Sequence, residues 1–220
     1  MFGGVAFAPA SFAQEGYPSK PVRFIAPYPP GGSSDVLARV LAQKLTDALG
    51  RQVIVENRPG AAGNIGHEIV AKSPADGYTL LLTTKSQLVN NQYLYKRLPF
   101  DPLADFSLVT MIAYAGHVLV VHPAVPARNV KELISLARAQ PGKLSYGSAG
   151  IGSTVGIVAE VFKSIARVDI VHVPYKGAVL AVADVVGGQI EMMFADMVPA
   201  VPQIRGGRLR ALAVTTAERS

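Results

Sequence analysis

The chain repeats one three-part pattern: a short apolar run rich in β-branched residues, a Gly/Pro-rich break, then apolar residues at helical spacing. Strands that alternate with helices this regularly bury both faces of a sheet, which points to an α/β fold with mainly parallel strands. The first repeat is the clearest. Val22, Phe24, Ile25 and Ala26 form a strand that stops at Pro29-Pro30-Gly31-Gly32. Ser33 and Ser34 follow as N-cap candidates. Val36, Leu37, Val40, Leu41, Leu45 and Leu49 then recur at helical spacing, and Gly50 ends the helix.

The pattern predicts further strands at 52–56 and 78–84, one or two long strands over 108–122 broken at Gly116, and strands at 144–148, 169–173, 189–194 and 210–215. Helices are expected around Ile69 and Val70, after Asn129 (which stands three before Glu132, a capping-box spacing), over 155–165 and over 180–186. These elements group into two α/β units, about 17–110 and 116–210, and a cleft between two such units is where a ligand is expected. Half of the residues are hydrophobic and 16% are charged, which excludes a disordered chain. The absence of Cys excludes a disulfide scaffold, a thiolate metal site and a thiol nucleophile.

Met1 to Ala13 carries no charge and closes on Ser11-Phe12-Ala13, with small residues at −3 and −1, so it reads as the end of a secretory signal peptide. It is shorter than the about 20 apolar residues that a membrane span needs.

Two strand-to-helix junctions carry the binding chemistry. Pro29-Pro30-Gly31-Gly32-Ser33-Ser34-Asp35 offers unpaired helix N–H groups and hydroxyls, a combination that attracts an anion. No Lys-Ser or Lys-Thr closes it, so it is not a phosphate-binding P-loop. Ser148-Ala149-Gly150-Ile151-Gly152-Ser153-Thr154 is the second, and its glycines miss the dinucleotide spacing. A third Gly-rich approach, Gly60 to Gly66, contains Asn64. The net charge of +6 (21 basic against 15 acidic residues) mildly favours anionic ligands. The basic run Arg205-Gly206-Gly207-Arg208-Leu209-Arg210 lacks interleaved aromatics and reads as a solvated turn, so no nucleic-acid partner is expected. A Ser hydrolase using Ser33, Ser34 or Ser153 with His172 or His122 stays open as an alternative, although no Gly-x-Ser-x-Gly elbow occurs.

The sequence resembles the Bug family, the periplasmic receptors of tripartite tricarboxylate transporters. The resemblance rests on Tyr17-Pro18, Lys20-Pro21-Val22-Arg23, the Pro29–Asp35 turn, Val55-Glu56-Asn57-Arg58-Pro59-Gly60, Gly63-Asn64-Ile65-Gly66 and Asp76-Gly77-Tyr78-Thr79-Leu80. It continues through Leu98-Pro99-Phe100-Asp101-Pro102, Gln140-Pro141-Gly142-Lys143-Leu144, Ser148-Ala149-Gly150 and His172-Val173-Pro174-Tyr175-Lys176-Gly177. Gly187-Gly188-Gln189-Ile190 and the stretch from Gly207 to Thr215 complete it.

That resemblance implies a two-lobed, venus-flytrap fold of the periplasmic-binding-protein type, C-terminally truncated here because relatives run on well beyond Thr216. It divides the chain into a signal-peptide remnant at 1–13, a first lobe at 14–115, a second at 116–210 and a crossover back toward the first at 211–220. The first lobe, without the tail, is expected to expose apolar surface. The resemblance further implies a monomeric periplasmic receptor without catalysis, cofactor or metal. It would close on a small carboxylate (a di- or tricarboxylate, an acidic amino acid or an aromatic acid) and deliver it to a membrane permease. A sensor that signals to a membrane kinase would bind the same ligand. By position, the carboxylate would be held by Gly31, Gly32, Ser33, Ser34, Asn64, Thr83 and Thr84 of the first unit and by Ser148, Gly150, Ser153 and Thr154 of the second. Asp196 would read the far end, although the family's usual acidic position falls at Ala195. Ala178-Val179-Leu180 stands where relatives often begin a helix with Pro.

Overall fold

A computed structural model describes residues 16–114 and 116–217, so the leader expected at Met1–Ala13 lies outside the described residues. The chain builds two sheets. In the first, β1 (Val22–Ala26) lies between β2 (Val53–Asn57) and β3 (Thr79–Leu81), all parallel. Val22, Phe24, Ile25 and Ala26 are all buried, the near-continuous apolar run that a strand covered on both faces requires. Helix α1 (Ser33–Leu49) lays Ala38 and Ala42 against this sheet and ends at Gly50, whose φ of 62° is the left-handed conformation that lets its N–H reach the Thr46 carbonyl. Helix α2 (Asn64–Ala71) follows the Gly-rich loop.

The second sheet runs β6 (Val171–Pro174), β5 (Ser145–Ser148), β7 (Met192–Asp196), β4 (His117–Val121), β8 (Arg210–Val214). β5 is parallel to β6 and β7, whereas β4 is antiparallel to both its neighbours. The mainly parallel expectation therefore holds for the first sheet and fails in the second only at β4, which runs against the other four strands. One face of this sheet packs Leu133, Tyr146, Ala159 and Ile170 into a core with helices α4 (Val130–Ala139) and α5 (Thr154–Ala166). The other packs Ala181, Val185, Met193 and Ala200 with α6 (Ala178–Val186) and α7 (Met197–Arg205). Asn129 caps α4 as its spacing predicts: its Oδ1 accepts from the Glu132 N–H at 2.9 Å, and the Glu132 carboxylate accepts from the Arg128 N–H at 2.7 Å.

Several expectations need correction. The long strands predicted over 108–122 reduce to β4. Leu108, Val109, Met111 and Tyr114 are exposed and pair with no strand, because apolar alternation forms a strand only where a partner edge exists. The strand expected at 78–84 shortens to β3. A π-helical turn at Ser86–Asn90 running into α3 (Asn91–Leu94) was not expected, nor was α7. Pro199 and Pro202 disguise α7: Pro199 falls in the first turn, where no N–H is needed, and Pro202 sits inside. Residues 210–214 belong to the second sheet as β8, so any crossover out of that lobe starts after Val214.

His67 is fully buried, stacked on Phe100 at 5.5 Å and edge-on to Phe106 at 5.7 Å. Burial pushes its imidazole down from 6.5 to about 4, partly opposed by a hydrogen bond to the Gly63 carbonyl. Between those values the unfolded chain binds the proton and the folded chain does not, so stability falls as pH drops from 6.5 to 4, by roughly 3 kcal/mol. The Glu56 carboxylate, held down to about 2 chiefly by Arg23, adds its loss only below 4.5. Urea titrations across this range are expected to show the decline beginning near pH 6.5, and H67Q is expected to remove most of it above pH 4.5, the rest coming from His172, whose pKa burial also lowers. Gly147 of β5 has no room for a methyl group, since a Cβ there would lie 2.6 Å from Ile190 Cδ1 and 2.9 Å from Ala181 Cβ. G147A is expected to lower the unfolding free energy measured by urea titration by about 1–3 kcal/mol.

Candidate functional site

The Pro29–Asp35 turn leaves the carboxyl end of β1 and is held from beneath by Asp35. The buried Asp35 carboxylate accepts from the Gly31 N–H (3.0 Å), Asn57 Nδ2 (2.9 Å) and Arg39 (2.9 Å). Burial pushes its pKa up, but these three donors outweigh it and leave the group below the usual carboxylate range. Asn57 also donates to the Tyr28 carbonyl, fastening the turn to the end of β2. With that support the N-cap of α1 is Gly32, not Ser33 or Ser34. The two serines are half-buried residues of the first turn, and their hydroxyls have no partner among the described residues. Gly31 is exposed with φ of 80°, the left-handed region, which glycine enters without strain.

The second junction is built differently. Ser153 caps α5, accepting from the Gly156 N–H at 3.3 Å. Ser148 is fully buried at the end of β5; its Oγ accepts from the Gly150 N–H and lies 2.7 Å from His172 Nε2. His172 stacks flat on Tyr146 at 4.6 Å, and burial lowers its pKa against the opposing pull of Glu160. His172 is therefore taken by Ser148, and His122 Nδ1 accepts from the Ala124 N–H, so neither histidine serves Ser33, Ser34 or Ser153 as a base.

The first junction meets the start of α6, and the second meets the Gly-rich loop and the π-helical turn of the first lobe. Val179 Cγ2 of α6 stands 3.5 Å from where a Cβ on Gly32 would lie, and Gly177 presses on the Pro29 ring. Gly150 meets Ala62, and Gly152 meets Asn91. Thr154 Oγ1 and Ser86 Oγ share a 2.7 Å hydrogen bond, and Tyr95 donates to the Ile151 carbonyl at 2.9 Å. Tyr28 packs against the second lobe's core, as does Met197 at the start of α7. Burial pushes its phenol up to about 12, with the Asp196 charge adding to the rise. The N-terminal ends of α1, α5, α6 and α7 thus all lie at this junction, and aligned helix dipoles give each a partial positive charge. Asp196 sits at the start of α7 with its carboxylate 3.2 Å from His117 Nδ1, within ion-pair range but outside hydrogen-bond geometry.

The remaining candidates sit on the first lobe. Asn64 is buried at the start of α2, its Oδ1 accepting from Asn91 Nδ2 at 2.7 Å. Thr83 Oγ1 lies 2.6 Å from His67 Nε2, and Thr84 donates to Gln87 Oε1 at 2.5 Å. Tyr28, Gln87 and Asn91 were not anticipated. Gln87 is fully buried and donates to the Tyr28 hydroxyl and the Ala62 carbonyl. The signal was present: Gln87 and Asn91 stand four apart, the spacing that places two side chains on one helical face. Two open cavities, of about 260 and 330 Å³, lie on the second lobe away from the junction. Arg210 there donates to the Pro123, Val125 and Ala127 carbonyls, and Glu191 accepts from Ser145.

Residues 37–220 match the tripartite tricarboxylate transporter family receptor (TctC). The chain is 38% identical over 205 residues to a UPF0065 protein from the tcbD–tcbE intergenic region of Pseudomonas sp., covering 93% of this chain and 61% of that one. It is 39% identical to Protein BugT of Bordetella pertussis, covering all of this chain and 68% of BugT. The chain thus spans about three fifths to two thirds of the length of these relatives. Among solved structures, R. palustris Rpa4515 with adipate superposes with a TM-score of 0.90 at 37% identity, covering 92% of this chain and 68% of that one. The periplasmic binding protein BugD gives 0.87 at 32%, and MatC of Rhodopseudomonas palustris with bound malate gives 0.87 at 27%, each across 92% of this chain and 68% and 69% of theirs. On sequence and fold together, the chain belongs to the tripartite tricarboxylate transporter receptor family, whose members include the Bug proteins.

Proposed function

We propose that this chain is the ligand-gripping part of a periplasmic solute-binding receptor, which captures a small carboxylate between its lobes and delivers it to the permease of a tripartite tricarboxylate transporter. The observation that carries the reading is the unpaired donor set at the start of α1, facing the second lobe. The Ser33 and Ser34 hydroxyls and the first-turn N–H groups can all point at one anion, and the converging helix ends favour negative charge without a salt bridge. The ligands held by Rpa4515 and MatC, adipate and malate, support the ligand class. Gly31, Gly32, Ser33, Ser34 and Asn64 would hold the carboxylate from the first lobe, with Thr83 and Thr84 at the β3 edge. Ser148, Gly150, Ser153 and Thr154 would close over it, and Asp196 would read its far end. Contacts to both lobes would favour the closed arrangement, a hinge-type transition.

A thermal-shift panel of organic acids on the full-length protein tests this. At least one carboxylate at millimolar concentration is expected to raise the melting temperature, as any ligand of the folded state does. The S33A/S34A double variant is expected to bind that acid at least about tenfold more weakly, because hydrogen bonds to a charged group are among the stronger ones. No stabilisation by any acid, or unchanged binding by the double variant, would overturn the reading.

A further inference from the structure

The two ends of the first-lobe site differ in hydrogen-bond polarity, and a buried histidine sets the difference. His67 Nδ1 lies 2.9 Å from the Gly63 carbonyl, which can only accept, so Nδ1 carries the ring proton. Burial keeps the ring neutral at pH 7, and its Nε2 then offers only a lone pair. Thr83 Oγ1 stands 2.6 Å from that lone pair and therefore donates to it. The other partner of this hydroxyl, the Thr84 carbonyl at 3.3 Å, is also an acceptor, so its single proton stays within the fold either way. Phe100, Phe106 and Gly63 hold the ring, which cannot turn to offer Thr83 a donor. The next hydroxyl behaves alike, since Thr84 donates to Gln87 Oε1. Thr83 is half-buried just beyond the carboxyl end of β3, and with its proton committed its oxygen can accept from a ligand group there but not donate to one. At the start of α1 the opposite holds, because the Ser33 and Ser34 protons have no acceptor among the described residues.

We propose that His67 acts as a positioning residue that makes Thr83 an obligate acceptor, so that the β3 edge selects a carboxylate ligand bearing an additional hydrogen-bond donor, a hydroxyl or ammonium group. A bare second carboxylate oxygen placed there would face an oxygen lone pair with no proton between. The inference rests on the carboxylate-capture reading above and names the ligand feature which that site prefers.

Calorimetric titration of the full-length protein with succinate, malate and aspartate tests it, since these four-carbon acids differ only in the hydrogen, hydroxyl or ammonium group at one carbon. Malate or aspartate is expected to bind at least about tenfold more tightly than succinate, and whichever of the two wins identifies the donor. If the panel's best acid has another chain length, its 2-hydroxy, 2-amino and unsubstituted forms take their place. T83V is expected to bring the ratio close to one and T83S to restore it. Nitrogen-15 NMR of the wild-type ring is expected to show a protonated Nδ1 and a bare Nε2, a readout that does not depend on any ligand. Equal affinity for the three acids, a ratio that survives T83V, or a proton on Nε2 would overturn the inference while leaving carboxylate capture standing. Failure of every acid in the panel to bind would overturn both.

Discussion

The lobe junction depends on backbone approaching backbone more closely than a side chain allows. A Cβ on Gly177 would run into the Pro29 ring, and one on Gly152 would lie 2.5 Å from Asn91 Oδ1. Because glycine stands at these points, the starts of α1, α5 and α6 come together, and with them the donors that an anion can use. The sheets explain why these ends and not others meet. β1, β5 and β7 all deliver their chains at the carboxyl edge into a helix start, the place where α/β folds put their ligand loops.

The polar groups at this junction fall into two sets. One set supports the loops: Asp35 ties the Pro29–Asp35 turn, Asn57 bridges it to β2, and Gln87 joins Tyr28 to Ala62. Each of these side chains is buried or half-buried and bonded, as low-dielectric surroundings demand. The other set, led by Ser33 and Ser34, remains unbonded where the lobes meet. The proposed site separates positioning from recognition, with charged groups such as Asp35 and Arg39 used for the former. The basic excess of the chain then matters only as a diffuse attraction, and the grip itself needs no cation.

Much of the fold was legible from periodicity and punctuation. Gly50 and the Asn129–Glu132 pair sit where the sequence predicts them, because their effects are local. The errors arose where tertiary context decided. The run at Leu108–Val121 looks like a strand throughout, but only the part that finds β7 and β8 as partners becomes one. Helix α7 hid behind two prolines, and β4 entered the second sheet antiparallel, which no local pattern encodes. At the site, the Gly/Ser junctions were readable as anion-friendly helix starts. Ser33 was misread as a cap because Asp35 stabilises the turn from two residues further on. The pairing of His67 with Thr83 was not readable either, since the two stand sixteen apart and meet only through packing against Phe100 and Phe106.

The claim at the centre of this account is that an organic anion sits at the start of α1 with the second lobe closed over it. Proton–nitrogen NMR during titration with the acid that most stabilises the protein tests it residue by residue. The account predicts the largest amide shifts at Ser33 and Ser34, with Ser153 and Thr154 responding from the other lobe. Shifts confined to the cavity beside His122 and Gly188, with Ser33 and Ser34 unmoved at saturation, would contradict it.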